Sequence, residues 1–174
     1  MTTSEWIINF ALIAVVLRQL QTHRIDARFV LVPLALVGWS AHSYLKAVPT
    51  AGHDLQLVVV VGLIGAAFGL AGGLSTHIGN DGTHATARAG VVSAGLWVIG
   101  MSGRIAFVLW SEHGGAGPIA HFSQTHQITG GDAWTSALII MVFAEVGIRL
   151  TTIVLRGRQS LASAPAAELP VFAA

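Results

Sequence analysis

The chain contains no cysteine. That excludes disulfides, thiolate metal sites, a redox Cys-x-x-Cys pair and thioether attachment of a haem. Charge is scarce too: 10% of the 174 residues are Asp, Glu, Lys or Arg, against about a quarter in an ordinary soluble domain. Lysine occurs once, at Lys46, so no apolar segment carries an amine for a retinal Schiff base. Nine basic residues against eight acidic ones leave a net charge of +1, which provides no cationic footprint for nucleic acid. The P-loop, the Gly-x-Ser-x-Gly elbow and the Asp-Asp-x-x-Asp cluster are all missing. Their absence argues against nucleotide hydrolysis, serine hydrolase chemistry and metal-assisted ionisation of an isoprenoid diphosphate. No cofactor is implied.

What is present is apolar. Hydrophobic residues make up 53% of the chain and the mean hydropathy is +0.70, too greasy to be coated for water. Crossing a bilayer takes about 20 mainly apolar residues as a helix. Five segments meet or approach that length: 6–20, 29–45, 55–74, 89–110 and 133–155. The expected architecture is therefore all-α, a single transmembrane bundle over residues 1–156 followed by an Ala/Ser/Pro-rich disordered tail, 157–174. The first residues, Met-Thr-Thr-Ser-Glu, lack the basic region of a signal peptide, so the first segment reads as a retained helix. Arg18, Arg24, Arg28, Arg88, Arg156 and Arg158 fall on one side and Lys46 on the other. The positive-inside rule then puts the N-terminus outside and the C-terminus in the cytoplasm. Trp6, Tyr44, Trp110 and Trp134 fall at the outer ends, as an interfacial aromatic belt would.

Between the third and fourth segments, Gly79-Asn80-Asp81-Gly82 is a strong turn signal in a cytoplasmic loop. The stretch from His113 to Asp132 reads as a Gly- and His-rich outer loop. Gly65, Gly69 and Gly73 repeat at four-residue spacing and form a small-residue ridge. The preferred reading is a packing seam inside the bundle. The ridge is otherwise one wall of a ligand groove, or a contact for a partner helix.

Charges inside hydrocarbon cost about 2.5–3.5 kcal/mol each at a helix centre on insertion scales. The chain has three: Arg104, Glu145 and Arg149. Glu145 and Arg149 are four residues apart on one helix face, which makes an ion pair between them natural. Leu138, Met141, Glu145, Arg149 and Thr152 form a stripe that can face a second one, Trp97, Gly100, Met101 and Arg104. Two guanidiniums against one carboxylate leave a surplus positive charge. Backbone carbonyls, water or an anionic headgroup must supply its acceptor.

Five histidines, His42, His53, His113, His121 and His126, fall on the outer side, but their spacing matches no metal motif. A haem is disfavoured because His42 and His77 sit near opposite faces.

The run Arg24-Ile25-Asp26-Ala27-Arg28, then Pro33, Gly38, the glycine-rich third segment, the Asn80-Asp81-Gly82 turn, Arg88, Trp97 and Arg104 resembles the CcdC-like family of small bacterial membrane proteins. The resemblance runs from about residue 24 to residue 110. It implies a multi-pass protein of the bacterial cytoplasmic membrane near cytochrome maturation, and no activity.

Two functions compete. In the first, the bundle binds an isoprenoid- or lipid-like amphiphile and acts as a proton-initiated, terpene-cyclase-like enzyme. Glu145 is then the acid, with Asp132 and Asp54 as substitutes. Arg104, Arg149, Met101 and Met141 line the ligand site, and Trp97, Trp39 and Phe107 supply aromatic walls for a carbocation. In the second, the protein is a non-catalytic scaffold or assembly factor. A weaker third reading makes the outer histidines a metal site.

Overall fold

Asp54 to Leu74 carries a glycine at nearly every turn and no proline, and it forms one uninterrupted helix. The reason lies in what surrounds it. The computed structural model describes residues 23–44 and 50–163. In chain order these form β1 (His23–Arg24), α1 (Ala27–Tyr44), α2 (Asp54–Leu74), β2 (Thr76–Asn80), β3 (Ala85–Ala89), α3 (Val91–Trp110), α4 (Ala116–Thr125) and α5 (Gly131–Ala162). The protein is mostly helical.

The buried positions of α2 are Asp54, Val58 and the glycines 62, 65, 69, 72 and 73. Its large side chains point the other way: Leu55, Val60, Leu63 and Leu74 are each more than half exposed. Water-soluble helices bury their large apolar residues. A lipid-solvated helix instead buries small ones, because backbone approach and packing hold the bundle together. The glycines accept α5. A Cβ on Gly65 would collide with the Met141 carbonyl, one on Gly69 with the Glu145 carbonyl, and one on Gly73 would lie 2.7 Å from Cβ of Thr152. Numbers rise together along both helices, so α2 and α5 pack parallel, backbone against backbone. The ridge is a seam inside the chain, and its use as a contact for a partner helix is corrected accordingly.

Three helical stretches are long and apolar enough to cross a membrane: Asp54–Leu74, Val91–Thr125 and Gly131–Ala162. In α1 the apolar stretch is shorter, Ala27–Trp39. Four of the five expected segments thus coincide with α1, α2, α3 and α5 within a few residues, except that α5 runs on to Ala162. Residues 157–162, expected as the start of a disordered tail, are helical because the sheet packs on them. The expected helix 6–20 lies outside the described residues.

Two connections differ from expectation. The turn at Gly79–Gly82 sits in a β-hairpin, and β1 adds to it, giving an antiparallel sheet ordered β1-β3-β2. Strand alternation turns Ala85 and Ala87 inward. Gly157 makes room for them: a Cβ there would meet Ile25 Cδ1 at 2.8 Å and Ala85 Cβ at 3.2 Å. Arg156 reaches back to the end of α2 and donates to the carbonyls of Gly73, Leu74 and Thr76 at 2.7–2.9 Å. A cation at a helix C-terminus satisfies orphan carbonyls and complements the dipole. The second departure is the stretch from His113, read as a loop. A kink at His113 and Gly114, within Ser111–Gly115, leads from α3 into α4, with Gly114 at φ +121° where a side chain would be strained.

At the hairpin turn, the Asp81 carboxylate accepts the amides of His84 (2.7 Å) and Thr83 (3.1 Å) and pairs with Arg24 at 3.3 Å. Those contacts, the His84 amide first and the Thr83 amide next, lower its pKa from 3.8 to about 2. The depressed value means the turn is supported above the ordinary carboxylate range and loses that support as pH falls through the folded value. The protection of the Thr83 and His84 amides, taken relative to intrinsic exchange at each pH, is expected to be high at neutral pH and to fall between pH 3.8 and about 2. In Asp81→Ala that protection should be low throughout.

The seam makes its own prediction. Gly69→Ala forces a methyl into the α5 backbone, so thermal unfolding in detergent should show a loss of about 1–3 kcal/mol, typical of overpacking. Gly95→Ala, which meets nothing within 4 Å, should be neutral or slightly stabilising.

Candidate anion and amphiphile site

The two stripes expected to face each other do meet, though by a different route. The α5 backbone at Met141 and Glu145 lies on the glycines of α2, so the charged side chains leave sideways toward α3. Glu145, 4% exposed, takes Nη1 of Arg104 on its Oε2 at 2.6 Å. Gly100 leaves room for the carboxylate, since a Cβ there would sit 3.5 Å from Oε1. Nη2 of Arg104 points to Sδ of Met101 at 3.3 Å.

Arg149 is not the ion-pair partner of Glu145 that the four-residue spacing suggests. It reaches across to α3 and donates from Nη2 to Ser93 Oγ at 2.8 Å. Ser93 is fully buried and donates onward to the Gly72 carbonyl at 3.0 Å, which also accepts from Thr76 Oγ1 at 2.8 Å. The expected α3 stripe therefore extends one turn toward its N-terminus, as Ser93, Trp97, Gly100 and Arg104. Ser93 was legible as the residue four before Trp97, but a serine there reads as packing until its arginine is known.

The surplus positive charge foreseen in the sequence is Arg149. Ion pairs join Arg104 to Glu145, Arg24 to Asp81 and, if protonated, His84 to Asp81. Arg149 belongs to none of them. Its guanidinium lines a cavity of about 630 Å³ together with Glu145 and Trp97. Apolar walls come from Phe29, Val32 and Pro33 on α1 and from Val146, Leu150 and Ile153 on α5. The end nearest the sheet is polar, with His23, Arg24, Asp26 and Arg28. Asp26 accepts the Phe29 amide at 2.8 Å, an N-cap that starts α1 and sets Arg28 in its first turn. Pro33 cannot donate back to Phe29, so the helix is weakest where it flanks the cavity.

The other expected site residues are spread elsewhere. Met101 and Arg104 border a second, apolar groove of about 490 Å³. Met141 is buried in the α2–α5 seam against Gly65, so it is a packing residue and not a ligand contact. Phe107 stacks with Trp134 and Trp110 at centroid distances of 5.2 and 6.3 Å, away from the cavity. Trp39 is 69% exposed near the end of α1. The aromatic side chains at the cavity are Trp97 and Phe29. Asp54 is fully buried at the far end of α2, where it accepts the amide and hydroxyl of Thr129 and clasps the α4–α5 connection. Asp132 is exposed in the first turn of α5. Neither joins Glu145.

Three of the five outer histidines serve the backbone. Nδ1 of His53 donates to the His126 carbonyl at 3.0 Å, that of His113 to Leu109 at 2.9 Å and that of His126 to Phe122 at 2.9 Å. No cluster of three metal-ligating side chains exists among the described residues. Comparison with known proteins returned no matching family model, no matching curated protein and no matching solved structure.

A buried ion pair is costly to break because one charge is stranded, by about 3–5 kcal/mol. Glu145→Gln and Arg104→Gln should each destabilise by an amount of that order in detergent unfolding. The double variant should cost clearly less than the two singles together, a coupling read directly from the cycle. Additive losses would place the two side chains apart.

Proposed function

We propose that this chain is a multi-pass membrane protein that binds an amphiphile with an anionic headgroup. The head lies at the sheet end of the cavity, and the tail lies along the apolar walls formed by α1 and α5. One observation carries this reading: Arg149 brings a permanent charge into an apolar cavity, where its acceptor among the described residues is a neutral serine hydroxyl. An ionisable group at membrane depth is a functional-site hypothesis by default, and this one makes no direct ion pair among the described residues. A largely apolar pocket with a few converging polar groups is the usual form of a ligand site.

The membrane assignment rests on the three long apolar helices and on the exposure of leucine and valine where glycine is buried. Arg24, Arg28, Arg88, Arg156 and Arg158 gather at the sheet end, so the positive-inside rule puts that end in the cytoplasm. Five spans with an outer N-terminus fit this orientation.

The geometry favours binding over proton-initiated cyclisation. A general acid must present its carboxyl to the substrate, whereas Oε2 of Glu145 is taken by Nη1 of Arg104 at 2.6 Å and the residue is 4% exposed. Two of the three expected aromatic walls also lie outside the cavity.

The test uses the full chain in detergent micelles, titrated with anionic and neutral amphiphiles and followed by thermal unfolding. Saturation near 100 times Kd contributes about 2.7 kcal/mol, or roughly 5–10 °C for a chain of this size. Wild type should show that shift with an anionic amphiphile. Arg149→Gln should remain folded and lose most of it. An equal shift in the variant, or none in wild type, would reject the reading; a variant that unfolds regardless of lipid would support a scaffold.

A further inference from the structure

The cavity has a second property, which concerns the headgroup it selects. Three arginines line it from three different elements: Arg24 from β1, Arg28 from the first turn of α1 and Arg149 from α5. The carboxylates around them are already engaged. Glu145 holds Arg104, Asp26 caps α1 through the Phe29 amide, and Asp81 pairs with Arg24 through a single contact at 3.3 Å. Arg28 and Arg149 stand outside the ion pairs of the described residues.

We propose, resting on the amphiphile reading above, that the head is a terminal phosphoryl group, as in a lipid or isoprenoid monophosphate, and not a carboxylate. The chemistry of the acceptors decides this. A carboxylate offers two oxygens in one plane, which a single guanidinium fork saturates. A terminal phosphoryl group offers three oxygens arranged around phosphorus and about −1.5 to −2 charges at neutral pH. It can take guanidiniums from three directions at once, and arginine is the side chain suited to that recognition. Phosphodiester lipids, with two free oxygens and one charge, fall on the carboxylate side of this comparison. Arg24 is the adaptable member: 65% exposed, it can exchange Asp81 for the ligand without unfolding the sheet, which β3 holds through backbone pairing. The walls beyond, Phe29, Val32, Leu150 and Ile153, carry no donor for a second polar group. These walls suit a hydrocarbon tail.

Four probes with one source of tail and one without separate the possibilities: farnesyl monophosphate, the matching farnesoic acid, farnesol and inorganic phosphate. Each is titrated against the full chain in detergent, with affinity read by calorimetry. The monophosphate should bind at least tenfold tighter than the acid, farnesol should show no saturable binding, and inorganic phosphate should be at least a hundredfold weaker than the monophosphate. Arg28→Gln, at an exposed position in the first turn of α1, should bring the phosphate-over-carboxylate ratio close to one. Equal binding of phosphate and acid by wild type would overturn the phosphoryl assignment and leave the amphiphile reading standing. Binding of neither would overturn the amphiphile reading itself. Inorganic phosphate binding as tightly as farnesyl monophosphate would remove the tail from the site, and with it the lipid class. A ratio unaltered in Arg28→Gln would overturn the three-guanidinium assignment.

Discussion

The close approach of α2 to α5 fixes the height of every charged group in the bundle. Glycines at 65, 69 and 73 let the α5 backbone descend onto α2 with no side chain between. Once that contact is made, Glu145 and Arg149 have no freedom to choose a level. Their side chains cannot enter the seam, so they must emerge along its flank, where α3 runs antiparallel to α5. The pairing of residues across that flank follows from the direction alone: Arg104 near the far end of α3 meets Glu145, and Ser93 near its start meets Arg149. A methyl group in the seam would thus disturb the electrostatics of the site without touching a charged residue.

That geometry sorts two arginines of the same chemistry into different roles. Arg104 is compensated by a carboxylate, so the pair is close to neutral and serves to lock α3 to α5. Arg149 makes no direct ion pair: it donates to Ser93, with the Gly72 carbonyl beyond, and shares the Glu145 carboxylate only at longer range. A hydroxyl can orient a guanidinium but cannot cancel its charge, and in surroundings poor in water the remaining potential is large. Placing such a group beside Phe29, Val32 and Leu150 would be hard to justify as a packing device, because a methionine or leucine would fill the space at lower cost. As a point of attachment for an anion that arrives with its own hydrocarbon, it needs no further justification.

Helix positions were legible in the residues because apolar runs of membrane length have few alternatives; the seam was legible too, since four-residue glycine spacing has one common physical use. The partner of the seam was not, because nothing in a glycine says which helix will approach it. The Glu145–Arg149 pairing failed for a related reason. Spacing of four residues permits an ion pair along one helix, but it says nothing of a competing guanidinium on a neighbour, and Arg104 competes from a better direction. The hairpin was hidden behind its own turn. Gly79-Asn80-Asp81-Gly82 announces a reversal of the chain equally well in a loop and in a sheet, and strands as short as β2 and β3, with Ala, Thr and His among their residues, lack the β-branched density that marks a strand. Arg24 and Arg28 were visible as topological charges but not as cavity residues, since only the fold of β1 onto β3 carries them back over the bundle.

The sheet is therefore more than a connection between two helices. It is tied to the bundle at three heights: by Gly157 against Ile25 and Ala85, by Asn80 toward Ser160, and by Arg156 on the last carbonyls of α2. These ties meet the charge network at Thr76, which opens β2 and shares the Gly72 carbonyl with Ser93. Anything that draws Arg149 toward the cavity pulls on Ser93, and Ser93 lies one hydrogen bond from the first residue of the sheet. The arginines at the polar end and the arginine at depth thus belong to one mechanical unit.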